Sequence, residues 1–242
     1  MNPIVHIHVL CYNEQIMIPH FLRHYGDVAT RIFVYDNMST DNSLELLTAH
    51  EKVTVVPYDT DGEIRDDKYL EIKNNAWKDH DCDIVIVVDM DEFLYKKDLA
   101  KYIEEFHNSE ATIIKPQGFE MMKLYFDITK SKNLVGEVQT GYAHHHFDKL
   151  CMFKPKHITD INYNFGCHNA APQGNVVLYD RPCKLLHYKK IDIDHFLDKM
   201  EAYKERMSYF NKALKLGFEY EFDEELHEAN FMEELKKVKK II

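Results

Sequence analysis

The stretch "DIVIVVDMDEFL", residues 83–94, decides how the rest of the chain is read. Ile84 to Val88 form an unbroken apolar run, and Asp89, Asp91 and Glu92 follow at once. A short apolar run bounded by polar residues fits a strand buried on both faces. Three acids gathered at its end repel one another unless water or a cation separates their charges. Two aspartates one residue apart direct their side chains to one side where the backbone leaves the strand. Carboxylate oxygens are preferred ligands of hard divalent ions, so the pattern points to Mg2+ or Mn2+.

The preceding sequence alternates two periods. "IVHIHVL" (4–10), "RIFVYDN" (31–37) and "KVTVVPY" (52–58) read as strands, and 83–88 is the fourth. "EQIMIPHFLRHY" (14–25) sets Ile18, Phe21, Leu22 and Tyr25 at helical spacing before Gly26. "STDNSLELLTAH" (39–50) predicts a helix with Ser39 as N-cap and Leu44, Leu46 and Leu47 inward, and another helix covers 65–79. This alternation predicts an α/β fold with a mostly parallel central sheet flanked by helices. Ligands in such sheets sit outside the carboxyl ends of the strands. "CYNE" (11–14), "YDNMSTD" (35–41) and "DMDE" (89–92) all fall there.

The second half predicts a smaller, irregular β region at 111–119, 149–155, 174–180 and 183–189, followed by C-terminal helices over 192–213 and 222–240. A single domain over 1–242 is expected. Residues 1–95 form a regular nucleotide-binding half, 96–190 a looser half that shapes a second substrate site, and 191–242 a helical end.

Composition narrows the function. A net charge of −11 argues against a nucleic-acid partner. The longest apolar runs are far short of the ~20 residues that span a bilayer, and residues 1–10 lack the pattern of a signal peptide. The 5 cysteines (Cys11, Cys82, Cys151, Cys167, Cys183) are scattered, with no C-x-x-C pair, which fits free thiols in a reducing, cytoplasmic setting.

"CYNE", "YDNMSTDNS" and "VVDMDEFL" in this order resemble the family 2-type glycosyltransferases of the GT-A (Rossmann-like) fold. The D-x-D-E-F form is similar to small glycosyltransferases of bacterial and large-virus surface-polysaccharide pathways. The motifs cover residues 4 to about 95; "KLCMFKP", "GCH" and "LLHYK" fit more loosely. The resemblance implies transfer of a hexose, with inversion, from a nucleotide-sugar donor, a UDP-sugar, to a glycan or lipid-linked glycan acceptor. It implies a nucleotide site at Cys11, Tyr12, Asn13, Glu14, Asp36, Arg65, Asp89 and Met90, with Tyr12 on the base and Asp36 on the uracil imide. It also implies a divalent ion held by Asp89, Asp91 and His187 that neutralises the departing diphosphate. Glu92 turns instead to a structural partner.

Fifteen histidines are many for 242 residues. His187 ends an apolar strand, which suits a ligand; His168 competes with it. His144, His145 and His146 read as a solvated loop, and His20 and His24 lack a third ligand. The resembling family places its catalytic base in an E-D pair that this sequence lacks, leaving Glu120, Asp148 and His168 as candidates. The last helix is acidic first and basic last, with Phe222, Leu226, Phe231, Leu235 and Val238 on an apolar face that packs on the domain or a partner. Alternatively Lys236, Lys237, Lys239 and Lys240, beside Ile241 and Ile242, touch an anionic membrane as a peripheral contact. Two further readings stay open: a metal-dependent phosphohydrolase with an aspartyl nucleophile, or a module that binds sugar nucleotides or glycans without turnover.

Overall fold

The computed structural model describes residues 2–242; Met1, where the expected domain begins, lies outside them. Strands β1 (Val5–Cys11), β2 (Arg31–Asp36), β3 (Val53–Pro57) and β4 (Ile84–Asp89) lie parallel in the order β3-β2-β1-β4. Helices α1 (Ile18–Tyr25), α2 (Ser43–Thr48) and α3 (Asp66–Asn75) connect them. Along β1, Val5, Ile7, Val9 and Cys11 enter the main core, while His6 and His8 face Phe33 and His80 on the other side.

Two helix starts differ from expectation. Helix α1 begins at Ile18 rather than 14, with Pro19 in its first turn, where a missing N–H costs nothing. Helix α2 begins at Ser43, and Ser39 does not cap it: its hydroxyl donates to Asp36 Oδ1 at 2.5 Å instead.

The larger difference lies in the sheets. The single, mostly parallel GT-A sheet is corrected by the observed topology of two separate sheets with flanking helices. The six-stranded sheet adds β9 (Met152–Phe153) and β6 (Ile113–Ile114), both antiparallel, beyond β4. The five-stranded sheet has the order β13-β8-β7-β12-β5, from β5 (Glu92–Tyr95), β7 (Gln117–Met121), β8 (Thr140–Ala143), β12 (Lys184–His187) and β13 (Lys239–Lys240). Only its β12–β7 pair is parallel. A small antiparallel pair, β10 (Ile158–Asp160) with β11 (Gln173–Gly174), stands apart.

Two of the places where the chain passes from the six-stranded to the five-stranded sheet have a clear local cause. Between β6 and β7 stands Pro116, which has no N–H for a ladder and divides the strand expected at 111–119. Between β4 and β5 stands the Met90-Asp91 turn, where the Asp89 N–H donates to Glu92 Oε2 at 3.0 Å. The acid cluster therefore sits where the chain crosses from one sheet to the other.

Both sheets feed one apolar cluster, which includes Ile86 and Val88 from the first and Phe93, Phe119 and Leu185 from the second. Helix α1 fastens β5 to it: the Tyr25 hydroxyl donates to the Glu92 carbonyl (3.0 Å) and accepts from the Leu94 N–H (2.7 Å). The rest of the chain forms α4 (Leu99–His107), α5 (Leu134–Glu137), α6 (Ile193–Glu205), α7 (Tyr209–Ala213) and α8 (Glu224–Leu235). On α8, Phe231 is buried but Leu226 is exposed. Ile241 and Ile242 pack against the main core, and β13 pairs with β8, so the apolar end of the chain is engaged internally. No helix among the described residues is long and apolar enough to cross a membrane.

Candidate active site

A cavity of about 500 Å³ opens where the carboxyl ends of β1 and β4 meet β7, β12 and α6. It is lined by Cys11, Tyr12 and Glu14 from the end of β1 and by Asp89, Met90, Asp91 and Glu92 from the turn. Glu120, His187 and the His144–Phe147 segment close the far side.

Asp89 is held by lysines. Its Oδ1 accepts from Lys73 Nζ at 2.5 Å and its Oδ2 from Lys149 Nζ at 3.2 Å. Lys149 also pairs with Glu92, the structural partner expected of that residue. Both lysines are almost fully buried. Burial alone raises the Asp89 carboxyl, but Lys73 and Lys149 outweigh it and hold it well below the usual carboxylate range. The same pairs outweigh the burial that lowers the two ammonium groups, so both lysines stay charged.

Asp91, also buried, lies between two cations: Oδ1 is 3.6 Å from His187 Nε2, and Oδ2 is 3.6 Å from Lys199 Nζ. Lys199, on α6, donates to Glu14 Oε1 at 2.8 Å. His187 Nδ1 donates to Glu120, 3.0 Å from each carboxylate oxygen, and its ring stacks on Phe147 at 4.0 Å between centroids. Burial lowers the His187 pKa, yet Glu120 and Asp91 outweigh it and raise it above its ordinary value. Glu120, His187, Asp91, Lys199 and Glu14 thus form one buried row in which acidic and basic side chains alternate.

These contacts correct the metal assignment. Among the described residues no group of three or more His, Cys, Asp or Glu side chains is arranged to hold a metal ion. Both oxygens of Asp89 face ammonium groups, and Asp91 shares its charge between His187 and Lys199. The three expected ligands all line the cavity, but the countercharge their repulsion calls for comes from Lys73, Lys149 and Lys199. The donor set does not fit a manganese or magnesium centre. With the two-sheet topology, this overturns the assignment to metal-dependent, family 2-type GT-A enzymes.

The other expected residues divide. Glu120 and His168 line the cavity; Asp148 does not, its Oδ1 accepting from the Gly118 N–H at 2.7 Å. His168 Nδ1 donates to the His146 carbonyl at 2.9 Å, and burial lowers its pKa to about 4, leaving the ring neutral. Asp36 and Asn13 do not line the cavity: buried Asp36 accepts twice from Ser39, and exposed Asn13 accepts through Oδ1 from the Thr40 N–H at 2.7 Å. Arg65 makes a two-pronged pair with Asp67 (2.9 and 2.7 Å) outside the cavity.

Several lining residues had not been anticipated. His144 and His146, expected in a solvated loop, face the cavity while His145 faces solvent. Arg206, just beyond α6, lays its guanidinium carbon 3.1 Å above the centre of the Tyr12 ring. Lys73 and Lys199 did leave a trace in the sequence. Leu70, Lys73 and Trp77 share one face of a helix, as do Phe196, Lys199 and Tyr203, so each lysine interrupts an apolar stripe.

No family model matches the chain, and no curated protein matches it. Among solved structures it is similar to crystal structures of S. aureus TarS. The 1–349 fragment in complex with UDP superposes with a TM-score of 0.47 and 13% identity, over 96% of this chain and 70% of that one. The same fragment with UDP-GlcNAc gives 0.47 and 12%, over 97% and 72%. The fragment without ligand gives 0.44 and 15%, over 84% of this chain and 65% of that one, and the longer TarS chain is covered over only 39% of its length. At these values the likeness carries no weight for activity.

Proposed function

We propose that the cavity binds a nucleotide-sugar donor and transfers its glycosyl group to a hydroxyl of a glycan acceptor. One observation carries the reading: a buried carboxylate–imidazole–carboxylate row, Glu120–His187–Asp91, faces a cavity of about 500 Å³ rimmed by the polar ends of two parallel strands. That volume suits a small organic ligand such as a nucleotide sugar. The ends of parallel strands are where such ligands gather, and Tyr12 offers an aromatic face for a base.

The reaction assigns each group a task. The bond between the anomeric carbon and the phosphate oxygen breaks, and the nucleoside diphosphate leaves with the electron pair. The acceptor oxygen bonds to the anomeric carbon as its proton passes to Glu120. Glu120 suits the role because it lines the cavity and His187 fixes its orientation through Nδ1. Asp148, whose Oδ1 is tied to the Gly118 N–H, lies outside the cavity. Asp91 in turn holds the second nitrogen of His187.

The test is UDP release from a panel of UDP-sugars with glycan acceptors, beside calorimetry with UDP. Donor consumption that depends on acceptor, with UDP bound competitively, is the expected result. Failure of uridine, guanosine and adenosine diphosphates alike to bind would overturn the proposal.

A further inference from the structure

Arg206 stands out among the cavity's cations. Lys73, Lys149 and Lys190 each have a carboxylate partner, whereas among the described residues Arg206 and Lys189 have none, and Lys189 lies over the Tyr203 and Tyr220 rings rather than over Tyr12. Its Nε donates to the Gly62 carbonyl at 2.8 Å, while Nη2 is buried with no hydrogen-bond partner. A guanidinium N–H without an acceptor is disfavoured when withdrawn from water. Besides the Gly62 carbonyl, the Tyr12 ring holds the group in place, 3.1 Å below its central carbon.

The spacing leaves no room between the two groups. A base stacks on an aromatic ring at a similar separation, so the guanidinium occupies the face of Tyr12 that a base would take. Arg206 is also placed to move. It follows the last turn of α6, and its segment is tied to the loop before α3 by the Ile64 N–H donating to the Arg206 carbonyl at 2.7 Å. That backbone bond can persist while the side chain turns.

We propose that a nucleotide enters by exchange: its base displaces the Arg206 guanidinium from Tyr12, and the freed guanidinium turns its unpaired N–H groups to the ligand's diphosphate. The inference rests on the nucleotide-sugar reading above and adds to it a residue that discriminates by phosphate. A nucleoside has to displace Arg206 and gains nothing back; a nucleoside diphosphate recovers the contact as a charge-assisted hydrogen bond.

Arg206→Ala therefore acts in opposite directions on two ligands. Calorimetry with uridine and with UDP, on wild type, Arg206→Ala, Arg206→Lys and Tyr12→Ala, reads both. Uridine should bind Arg206→Ala about fivefold more tightly, the equivalent of one partly exposed cation–π contact. UDP should bind it about tenfold less tightly, as expected for loss of a charged hydrogen-bond donor. Arg206→Lys should recover much of the UDP affinity, and Tyr12→Ala should weaken both ligands. Weaker uridine binding in Arg206→Ala would mean that the guanidinium supports the base rather than standing in its place. Unchanged UDP binding would remove the phosphate role. Either result overturns the exchange while leaving nucleotide binding intact; a wild type that binds neither ligand overturns the exchange together with the function it rests on.

Discussion

Replacing Lys149 by methionine tests whether the chain supplies its own countercharge at the turn. Lys149 Nζ lies 3.2 Å from Asp89 Oδ2 and also contacts Glu92, with only 5% of its side chain exposed. Methionine keeps an unbranched apolar stem of similar reach, so charge is what the variant loses. Asp89 retains Lys73 at 2.5 Å. Glu92, 1% exposed, has no other cation among the described residues and keeps the Asp89 N–H on Oε2. Removing one partner of a buried pair costs about 3–5 kcal/mol, and the surviving Lys73 contact places the loss near the lower end, about 3 kcal/mol at pH 7. With a urea m-value of about 2 kcal/mol/M, the unfolding midpoint falls by about 1.5 M.

The pH dependence gives the sign. In the variant, a buried Glu92 carboxylate without a cation is relieved only by taking up a proton. The penalty is therefore largest at neutral pH and diminishes as pH falls toward the ordinary carboxylate range. In the wild type the folded Asp89 pKa is depressed. Its contribution is present above the unfolded value of about 3.9 and is lost as pH falls through the folded one. The stability gap between the two proteins should therefore narrow from pH 7 to pH 5, and Lys149→Met/Glu92→Gln should recover more than half of it. Urea titrations followed by circular dichroism at both pH values decide the matter. A loss under 1 kcal/mol, or a gap independent of pH, would refute the reasoning.

Three further outcomes are expected. Glu120→Gln should lower glycosyl transfer about 10²–10⁴-fold while leaving UDP affinity within about twofold, measured by UDP release and calorimetry; equal loss of binding would move Glu120 from proton transfer to ligand binding. His8 is held neutral, its pKa lowered to about 3 by burial and by the neighbouring His80 and His6. Stability should thus be full above pH 6.5 and fall toward pH 3 at up to about 1.4 kcal/mol per pH unit for this group, and His8→Phe should flatten that slope in urea titrations between pH 6.5 and 4. A Cβ at Gly118 would lie 2.4 Å from the Phe147 carbonyl carbon. Gly118→Ala should accordingly cost about 1–3 kcal/mol and displace Phe147 from His187, lowering thermal stability and glycosyl transfer together.

The parts of this fold legible in the sequence are those set by local period. The alternation through residues 4–88 gives four parallel strands because each strand pairs with neighbours fixed by short helical crossovers. It also places "CYNE" and "DMDE" on one cavity. The second half offers strands of two to five residues, too short for their own period to choose a partner. Pro116 marks a break, but which sheet follows it depends on long-range pairing between β7 and β12. The identity of the cation was hidden for a similar reason. The acids are adjacent in sequence, whereas the lysines come from positions 73, 149 and 199, and only the fold brings them together.

The alternating row explains why so many charges remain buried around one cavity. Glu120 belongs to the second sheet, Asp91 to the turn between the sheets, Lys199 to α6 and Glu14 to the loop after β1; His187 links the first two. Each group relieves the desolvation of the next, so the row contributes little net stability compared with an apolar filling of the same space. Its effect is geometric. Any displacement of α6 from the sheets strands Glu14 and Asp91 without Lys199, and any displacement of β7 strands His187 without Glu120. Departures from this one arrangement therefore cost more than the arrangement itself gains. That asymmetry holds Glu120, on the second sheet, and Tyr12, just past the end of β1 in the first, at a fixed separation across the cavity, which is what the proposed transfer between a bound donor and an incoming hydroxyl would require.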